Sequence, residues 1–396
     1  MAVTTYNTLV PALRFREFTD DWSVKYLSEF MAFRNGINAD KQQYGQGYKF
    51  INVLDIIADK PITHDKIIGS VDISAAVFDK STVSFGDILF QRSSETREEA
   101  GQANVYLDKD KPATFGGFVI RGKSKGNYQP VFMNFLLKTS LVRKEITARS
   151  GGSTRYNVGQ ATLENIPIVI TKTDEEQQKI ANFLTSVDTK IQQLKRKHTL
   201  MQQYKKGVIQ QLFSQQVRFK DDDGRDYPDW KEIRLGEVCS TFKSGMGITS
   251  GMISDEGPFP VYGGNGLRGY TDTYTHEGAY LLIGRQGALC GNINRVDGKA
   301  YISEHAIAVQ GNSLADTEWL AQRLSFYNLN RLSESSAQPG LSVNKLVRYK
   351  LSFPSLSEQK KIANFLLKLD TKINEIAKQI NQAETFKKGL LQQMFV

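Results

Sequence analysis

The chain has 396 residues, of which 40% are hydrophobic, and this length exceeds what a single hydrophobic core usually organises. Lys and Arg outnumber Asp and Glu by 51 to 42, so the formal net charge is +9 and a polyanionic partner is favoured. Two cysteines cannot form a disulfide framework, and neither has a second Cys or a His at metal-ligand spacing.

The N-terminal arm contains a segment that occurs a second time in the chain. Arg14-Phe15 followed by Asp20–Phe30 reappears as Arg218-Phe219 followed by Pro228–Val238, with the tryptophans aligned. The arm lacks the apolar segment of a signal peptide, and no run of about 18 apolar residues could span a bilayer. We therefore expect a cytoplasmic protein.

Each arm leads into a variable segment, Met31–Lys172 in the first copy and Cys239–Ser355 in the second. Both segments show short β-branched and aromatic runs between Gly-rich turns, which predict mixed α/β domains. The predicted strands are Tyr48–Leu54, Asp87–Gln91, Gly117–Gly122, Asn165–Ile170, Tyr280–Gly284 and Tyr349–Phe353. The predicted helices are Val131–Glu145 and Thr317–Leu332.

A long helix follows each variable segment. Lys179–Phe213 and Lys361–Phe395 are separated by 182 residues and align without a gap, with 16 of 35 positions identical. The chain is therefore a tandem duplication. Apolar residues recur at alternating steps of three and four, which is the spacing of a coiled-coil seam. The seam residues expected to pack against a partner helix are Ile180, Leu184, Val187, Ile191, Ile362, Leu366, Leu369 and Ile373.

An amphipathic helix of this length needs a partner for its apolar stripe, and the nearest partner is the other copy. We predict an antiparallel, pseudo-twofold symmetric pair with one variable domain near each end. Two unlike domains held apart by such a pair could recognise two unlike short DNA sequences about one helical turn apart.

Recognisable catalytic motifs are missing from the sequence. It contains neither the Asn/Asp-Pro-Pro-aromatic signature of amino-methyltransferases nor a phosphate-binding G-x-x-x-x-G-K-[ST] loop. The carboxylates in Thr173–Lys179 resemble those of a metal-dependent nuclease, but a helix start explains them better. That interpretation takes Thr173 or Asp174 as the N-cap, and Ser357 with Glu358 in the second copy. We expect a non-catalytic chain without a metal site.

Loops rich in Gly, Asn, Arg and Tyr suit close approach to base edges and phosphates, although they equally suit ordinary turns. The candidate DNA-binding residues of the first domain are Arg92, Ser93, Arg97, Arg121, Lys123, Lys125, Arg155 and Tyr156. Those of the second domain are Tyr262, Asn265, Arg268, Arg285, Gln286, Asn292, Arg295 and Gln338.

The repeats of the type EQxKIANFL…DxKI…KKGLLQQMF, together with the run Ser336–Leu346, resemble the DNA specificity subunit of a type I restriction-modification enzyme. The resemblance implies two target-recognition domains on a coiled-coil spacer that read an asymmetric bipartite double-stranded DNA target. It also implies two adenine methyltransferase subunits, which bind S-adenosylmethionine, and motor-nuclease subunits, which hydrolyse ATP with Mg²⁺. No cofactor is expected in this chain.

The repeat pattern divides the chain into an arm with recognition domain 1 (1–174), spacer helix 1 (175–216), an arm with recognition domain 2 (217–356) and spacer helix 2 (357–396). Two other functions stay open at this point. One is a coiled-coil assembly adaptor that does not read DNA, and the other is an enzyme that itself cleaves or modifies DNA.

Overall fold

The computed structural model describes residues 9–287, 289–333 and 340–396. It is a mixed α/β structure that divides into two compact units. Unit 1 contains the residues up to Leu194 together with Gln379–Val396, and unit 2 contains Lys195–Lys378. None of the helices in the described ranges is both long and apolar enough to cross a membrane.

Unit 1 is built around a four-stranded antiparallel sheet. Its strands are β1 Ser23–Tyr26, β2 Met31–Asn35, β3 Tyr44–Ile51, β4 Ser70–Val71, β5 Ile88–Gln91, β6 Ser93–Ser94, β7 Ala103–Val105, β8 Thr114–Phe115, β9 Val119–Ser124, β10 Tyr156–Asn157 and β11 Pro167–Ile170. Its helices are α1 Leu27–Phe30, α2 Val53–Ile56, α3 Ala75–Lys80, α4 Pro130–Leu136, α5 Ser140–Ala148, α6 Gln160–Glu164 and the first half of α7 Asp174–Phe213.

The main sheet of unit 1 has the strand order β2-β9-β5-β7, and smaller sheets have the orders β4-β3-β8, β1-β11 and β10-β6. Every residue of β5 is buried, because its two faces contribute to two different cores. Ile88 and Phe90 join the core that also contains the long helices, whereas Leu89 joins a second core with Ile51 and Phe115. The alternation of side chains along a strand thus connects the two layers.

Unit 2 repeats this design. Its strands are β12 Lys231–Arg234, β13 Cys239–Ser244, β14 Phe259–Gly263, β15 Gly266–Thr271, β16 His276–Glu277, β17 Tyr280–Gly284, β18 Ile293–Val296, β19 Lys299–Ile302, β20 Ala306–Gly311 and β21 Lys350–Phe353. Its helices are α8 Thr317–Tyr327, α9 Val343–Val347 and α10 Leu356–Gln393, the last of which ends in unit 1. The order β13-β20-β17-β18 matches β2-β9-β5-β7 position by position.

The arms add a strand next to the start of each long helix. β1 pairs antiparallel with β11, and β12 pairs antiparallel with β21. The predicted strands are found with boundaries shifted by a few residues. The predicted helix Val131–Glu145 is wrong as a single helix, because α4 ends at Leu136 and α5 begins only at Ser140.

The two long helices run antiparallel inside each unit. In unit 1, Trp22 donates a hydrogen bond to Glu176 at the start of α7 and its ring lies 6.2 Å from Phe395, which follows the end of α10. Asp188 of α7 pairs with Lys387 of α10 at 2.6 Å. In unit 2 the repeat-equivalent pair forms with the roles of the helices reversed, because α7 provides the lysine, Lys205, and α10 provides the aspartate, Asp370.

The Asp of the DTKI motif therefore pairs with the Lys of the KKG motif from the other copy, in both units. This reciprocal pairing explains why both motifs recur, because each pair needs one residue from each repeat. Seven of the eight seam residues named above are buried inside the chain, and Val187 is partly buried against the same core.

A buried Glu-Gln dipeptide fixes the start of each long helix. Arg14 donates two hydrogen bonds, of 2.6 and 2.9 Å, to Glu176, and Arg218 donates two, of 3.1 and 2.8 Å, to Glu358. The interpretation of Ser357 as an N-cap is wrong, because α10 begins at Leu356. The Ser355 hydroxyl oxygen, rather than that of Ser357, accepts from the N–H of Glu358 at 3.4 Å.

The glutamines of the same dipeptides attach a domain helix to the long helix. The side-chain oxygen of Gln177 accepts from the N–H of Gln129, the N-cap residue of α4, at 2.9 Å. The side-chain oxygen of Gln359 accepts from the N–H of Asp316, the N-cap residue of α8, also at 2.9 Å. Arm, domain and long helix therefore meet at one buried polar point in each unit.

Candidate DNA-reading surfaces

In unit 1, a short two-stranded ribbon collects five of the residues that the sequence suggested. β6 and β10 pair so that Ser93 lies opposite Asn157, and the Ser93 hydroxyl donates to the Asn157 side-chain oxygen at 2.5 Å. The Arg97 guanidinium lies 5.3 Å from the centre of the Tyr156 ring, a cation–π distance. The predicted DNA-binding residues in the ribbon or directly beside it are Arg92, Ser93, Arg97, Arg155 and Tyr156.

Three other candidates of unit 1 lie elsewhere. Arg121 is only 7% exposed, donates to the carbonyl of Thr82 and lies against the Phe115 ring. Burial lowers the pKa of Arg121, and the guanidinium serves the interior of the unit instead of its surface. Lys123 and Lys125 are exposed at the opposite end of β9 from the ribbon, and Lys125 donates to the carbonyl of Ser28 at 2.6 Å.

Beside the ribbon, unit 1 has a cleft of about 340 Å³ that the sequence did not suggest. Phe118, which is 63% exposed, borders it just before β9 begins. The exposed amides of Asn38 and Asn52 and the Tyr44 ring lie around the same cleft. Aromatic faces and amide groups suit contacts with DNA bases.

In unit 2, residues from three separate segments line one cleft of about 330 Å³. Asn265 lies in the turn between β14 and β15, Arg268 lies on β15, and Gln286 follows β17. His305 completes the lining and was not predicted. The β14–β15 hairpin can lie against β17 because position 264 is a glycine. A Cβ atom at Gly264 would lie 2.7 Å from the carbonyl oxygen of His305.

The remaining candidates of unit 2 have different surroundings. Tyr262 is partly buried against the core around Leu282. Arg295 of β18 is held by two hydrogen bonds, of 2.6 and 2.8 Å, to Glu318 in the first turn of α8. Asn292 is exposed beside a separate cleft. Gln338 lies outside the residues that the structure describes.

Neither an activated thiol nor a metal-binding cluster is found among the described residues. Burial raises the pKa of the Cys239 thiol to about 12 and also raises the pKa of the Cys290 thiol, so neither is an activated nucleophile. Within residues 9–287, 289–333 and 340–396, no group of three or more His, Cys, Asp and Glu side chains could hold a metal ion. The surfaces offer hydrogen-bond donors, acceptors and positive charge.

Comparison with known proteins assigns the family. A family model described as the type I restriction modification DNA specificity domain matches residues 19–202 and 227–384, which include most of both repeat copies. The chain belongs to this family. The expectation of a specificity subunit, and not of a catalytic subunit, is thereby confirmed.

Similar specificity subunits come from bacteria and archaea. The chain is 40% identical over 166 residues to the type I restriction enzyme EcoprrI specificity subunit of Escherichia coli, a match to 41% of this chain and 40% of that protein. It is 24% identical over 422 aligned positions to the type I restriction enzyme MjaVIII specificity subunit of Methanocaldococcus jannaschii, covering 94% of this chain and 91% of the relative.

Solved specificity-subunit structures share the fold. The crystal structure of the S subunit of a type I restriction-modification system from M. genitalium aligns with a TM-score of 0.64 at 20% identity, over 98% of this chain and 99% of that chain. A chain from a study of complex assembly and conformational transition of the type I R-M system aligns with a TM-score of 0.58 at 16% identity, over 94% and 97%. The predicted mixed α/β fold with two domains and long helices is confirmed.

Proposed function

We propose that each unit of this specificity subunit reads one half of an asymmetric, bipartite double-stranded DNA target. The observation that carries the proposal is the cleft of unit 2, where Asn265 and Arg268 of the β14–β15 hairpin come together with Gln286 and His305. Asn and Gln side chains suit adenine, and Arg suits guanine or phosphate. The ribbon of unit 1 presents a different set of polar and basic side chains, as expected for a different half-target.

We assign one role to each part of the repeat. The arm and recognition domain in 1–174 would read one half-target, and those in 217–356 would read the other. The spacer helices in 175–216 and 357–396 would hold the partner subunits. S-adenosylmethionine, ATP and Mg²⁺ would be bound by those partners, and the complex would act in the cytoplasm, where it meets the genome.

Single substitutions in the two units should relax different halves of the target. We expect Tyr156→Ala and Asn265→Ala each to weaken discrimination at one base position by about 1–3 kcal/mol, because a base contact is lost. The measurement is methylation of a randomised duplex library by the complex reconstituted with its methyltransferase subunits. The proposal that each unit reads one half-target would be wrong if both variants altered the preference in the same half-target, or if either variant altered it in both.

We further propose that methyltransferase subunits dock on the spacer helices at repeat-equivalent aromatic residues. The seam residues are largely used inside the chain, so a partner needs other apolar side chains. Tyr204 is 54% exposed and Phe386 is 57% exposed, and the two lie 182 positions apart, at the same place in the repeat. Each precedes the Lys-Lys pair of its helix, and exposed aromatic residues commonly dominate protein interfaces.

The variants Tyr204→Ser and Phe386→Ser should each remove one methyltransferase subunit from the complex. We expect a loss of about 1–3 kcal/mol in binding at the altered site, and one bound subunit per chain instead of two at moderate concentration. Mass measurement by light scattering during gel filtration would show this. Leu54→Ser, at a residue that is 76% exposed outside the long helices, is the matched control and should retain both subunits. Unchanged stoichiometry in both aromatic variants would exclude this docking site.

A further inference from the structure

An arginine follows an inner strand of the main sheet in unit 1 and is fixed by its backbone on both sides. Arg92 follows β5, and its N–H donates to the carbonyl of Phe118 at 2.8 Å. The carbonyl of Arg92 accepts from the N–H of Val158 at 2.9 Å. The residue is therefore held between the start of β9 and the segment after β10.

The equivalent strand of unit 2 is followed by an arginine in the same arrangement. Arg285 follows β17, and its N–H donates to the carbonyl of His305 at 3.0 Å. Its carbonyl accepts from the N–H of Leu341 at 2.9 Å. Because the strand orders of the two sheets correspond, these two arginines occupy the same position in two domains that otherwise share few residues.

The residues around the two arginines differ. Ser93 follows Arg92 and lies opposite Asn157, whereas Gln286 follows Arg285 and forms a bridge with Gly340. The backbone carbonyl that accepts from the arginine N–H belongs to Phe118 in unit 1 and to His305 in unit 2. Both residues have exposed rings. Each of these rings borders the cleft of its unit.

A group that two different readers share should contact what their two targets share. All DNA sequences have the same phosphate backbone, and phosphate contacts position a protein without reading sequence. Groups that differ between the readers are the ones that can distinguish bases. Because both recognition domains of this chain have the same backbone arrangement, a comparison of the two shows which side chains are shared and which differ.

Both arginines have donors available for a phosphate. The Arg92 Nη1 atom donates to the carbonyl of Gly117 at 3.3 Å, and the Arg285 Nη1 atom donates to the Ser244 hydroxyl oxygen at 3.1 Å. No other side-chain hydrogen bond of either guanidinium is found in the described part of the chain. Since a guanidinium has five N–H donors, each arginine is positioned by one hydrogen bond and keeps the rest for a ligand.

We propose that Arg92 and Arg285 are equivalent phosphate-contacting anchors, one in each half-target, and that the side chains around them read the bases. The reading residues next to Arg92 include Ser93, Phe118 and Asn157, and those next to Arg285 include Gln286 and His305, in addition to Tyr156 and Asn265 named above. This inference rests on the proposed function, because it assumes that each unit binds one half-target.

The anchors should act on every DNA sequence alike. In the complex reconstituted with its methyltransferase subunits, Arg92→Ala and Arg285→Ala should each weaken binding by roughly 3- to 10-fold, to the target duplex and to a random duplex equally. The slope of log affinity against log salt concentration should fall by about 1 for each variant, because one phosphate contact is lost. Fluorescence anisotropy titrations at several NaCl concentrations measure both quantities.

Matched variants separate this effect from damage to the fold. Arg285→Gln keeps a polar side chain with N–H donors but removes the charge, and it should weaken DNA binding as the alanine variant does. Arg285→Lys should restore most of the affinity. Arg225→Ala removes an exposed arginine that pairs with Asp221 in the arm, and it should leave DNA binding unchanged. Wild-type affinity in the glutamine variant would overturn the anchor role.

The flanking residues should behave in the opposite way. Asn157→Ala and Gln286→Ala should each relax the base preference at one position, by about 5- to 100-fold, while affinity for random duplex stays the same. A changed preference in the arginine variants, or an equal loss on all sequences in the flanking variants, would overturn the assignment. A wild-type complex without any sequence preference would instead overturn the proposed function itself.

Discussion

Replacing Glu176 by alanine is expected to lower the free energy of unfolding of unit 1 by about 3–5 kcal/mol, because a charged group is left buried without its partner. The Glu176 side chain is fully buried and the Arg14 side chain is 10% exposed. The carboxylate also accepts from Trp22 at 3.2 Å and from the Thr171 hydroxyl. Without it, Arg14 and Trp22 keep buried donors that water reaches poorly.

The measurement is urea unfolding together with hydrogen exchange, which assigns the loss to a unit. Glu175→Ala, one residue earlier in the first turn of α7, changes an exposed carboxylate and should cost less than about 1 kcal/mol. A loss of the same size in Glu175→Ala would mean that helix-terminus charge, rather than the buried pair, explains the effect.

The repeat supplies a second comparison. Glu358→Ala in unit 2 should cost less than Glu176→Ala, by about 1.5 kcal/mol. Arg218 is the side-chain donor to Glu358 in the described ranges, and the Trp230 indole N–H has no hydrogen-bond partner there. The Arg218 side chain is also more exposed, at 23%. Equal losses in the two variants would show that Trp22 and Thr171 add nothing to the pair.

Truncating one leucine in each seam should have the next largest effect. Leu184 and Leu366 are repeat equivalents, 182 residues apart, and both are fully buried. Leu184 shares the core of unit 1 with Leu390 and Phe395, and Leu366 shares the core of unit 2 with Phe213. Leu184→Ala and Leu366→Ala should each cost about 2–5 kcal/mol, because the transfer free energy is lost and a cavity remains.

Thermal and urea unfolding of the two variants would test this expectation. Leu200→Ala changes a leucine of α7 that is 53% exposed, and it should cost less than about 1 kcal/mol. Because Leu184 and Leu366 lie in different units, hydrogen exchange should locate the two losses in different parts of the chain. A small effect at Leu184 would mean that the antiparallel helix pair contributes little to the stability of unit 1.

The long helices and the duplication could be predicted from continuous stretches of sequence. The helices show regular spacing of apolar residues, and the duplication shows identical residues in two segments. The alternating steps of three and four along Lys179–Phe213 and Lys361–Phe395 indicated which side chains are buried. The paired motifs DTKI and KKG were visible as identities. Their mutual contacts, Asp188 with Lys387 and Lys205 with Asp370, could be recognised only from the antiparallel pairing.

The candidate DNA-binding residues could be suggested by type but not sorted by location. Arg92 and Arg121 look alike in the sequence, yet Arg92 is half-buried just after the end of an inner strand, whereas Arg121 is buried within a strand of the same sheet. Arg295 carried the same signal, but Glu318, which is 23 residues away, holds it in the structure. Asn157 was not predicted as a DNA-binding residue, because its partner Ser93 lies 64 residues earlier in the chain.

The sequence by itself determined the repeat, the two helical seams and the family, because the identity of two continuous segments and the periodicity within each one are visible without knowing which residues meet in the fold. Only the tertiary structure decided which loops meet. The ribbon of Ser93 with Asn157 and the cleft of Asn265, Arg268 and Gln286 both join segments that are distant in sequence. Strand pairing and close packing create such neighbourhoods, and no local pattern encodes them.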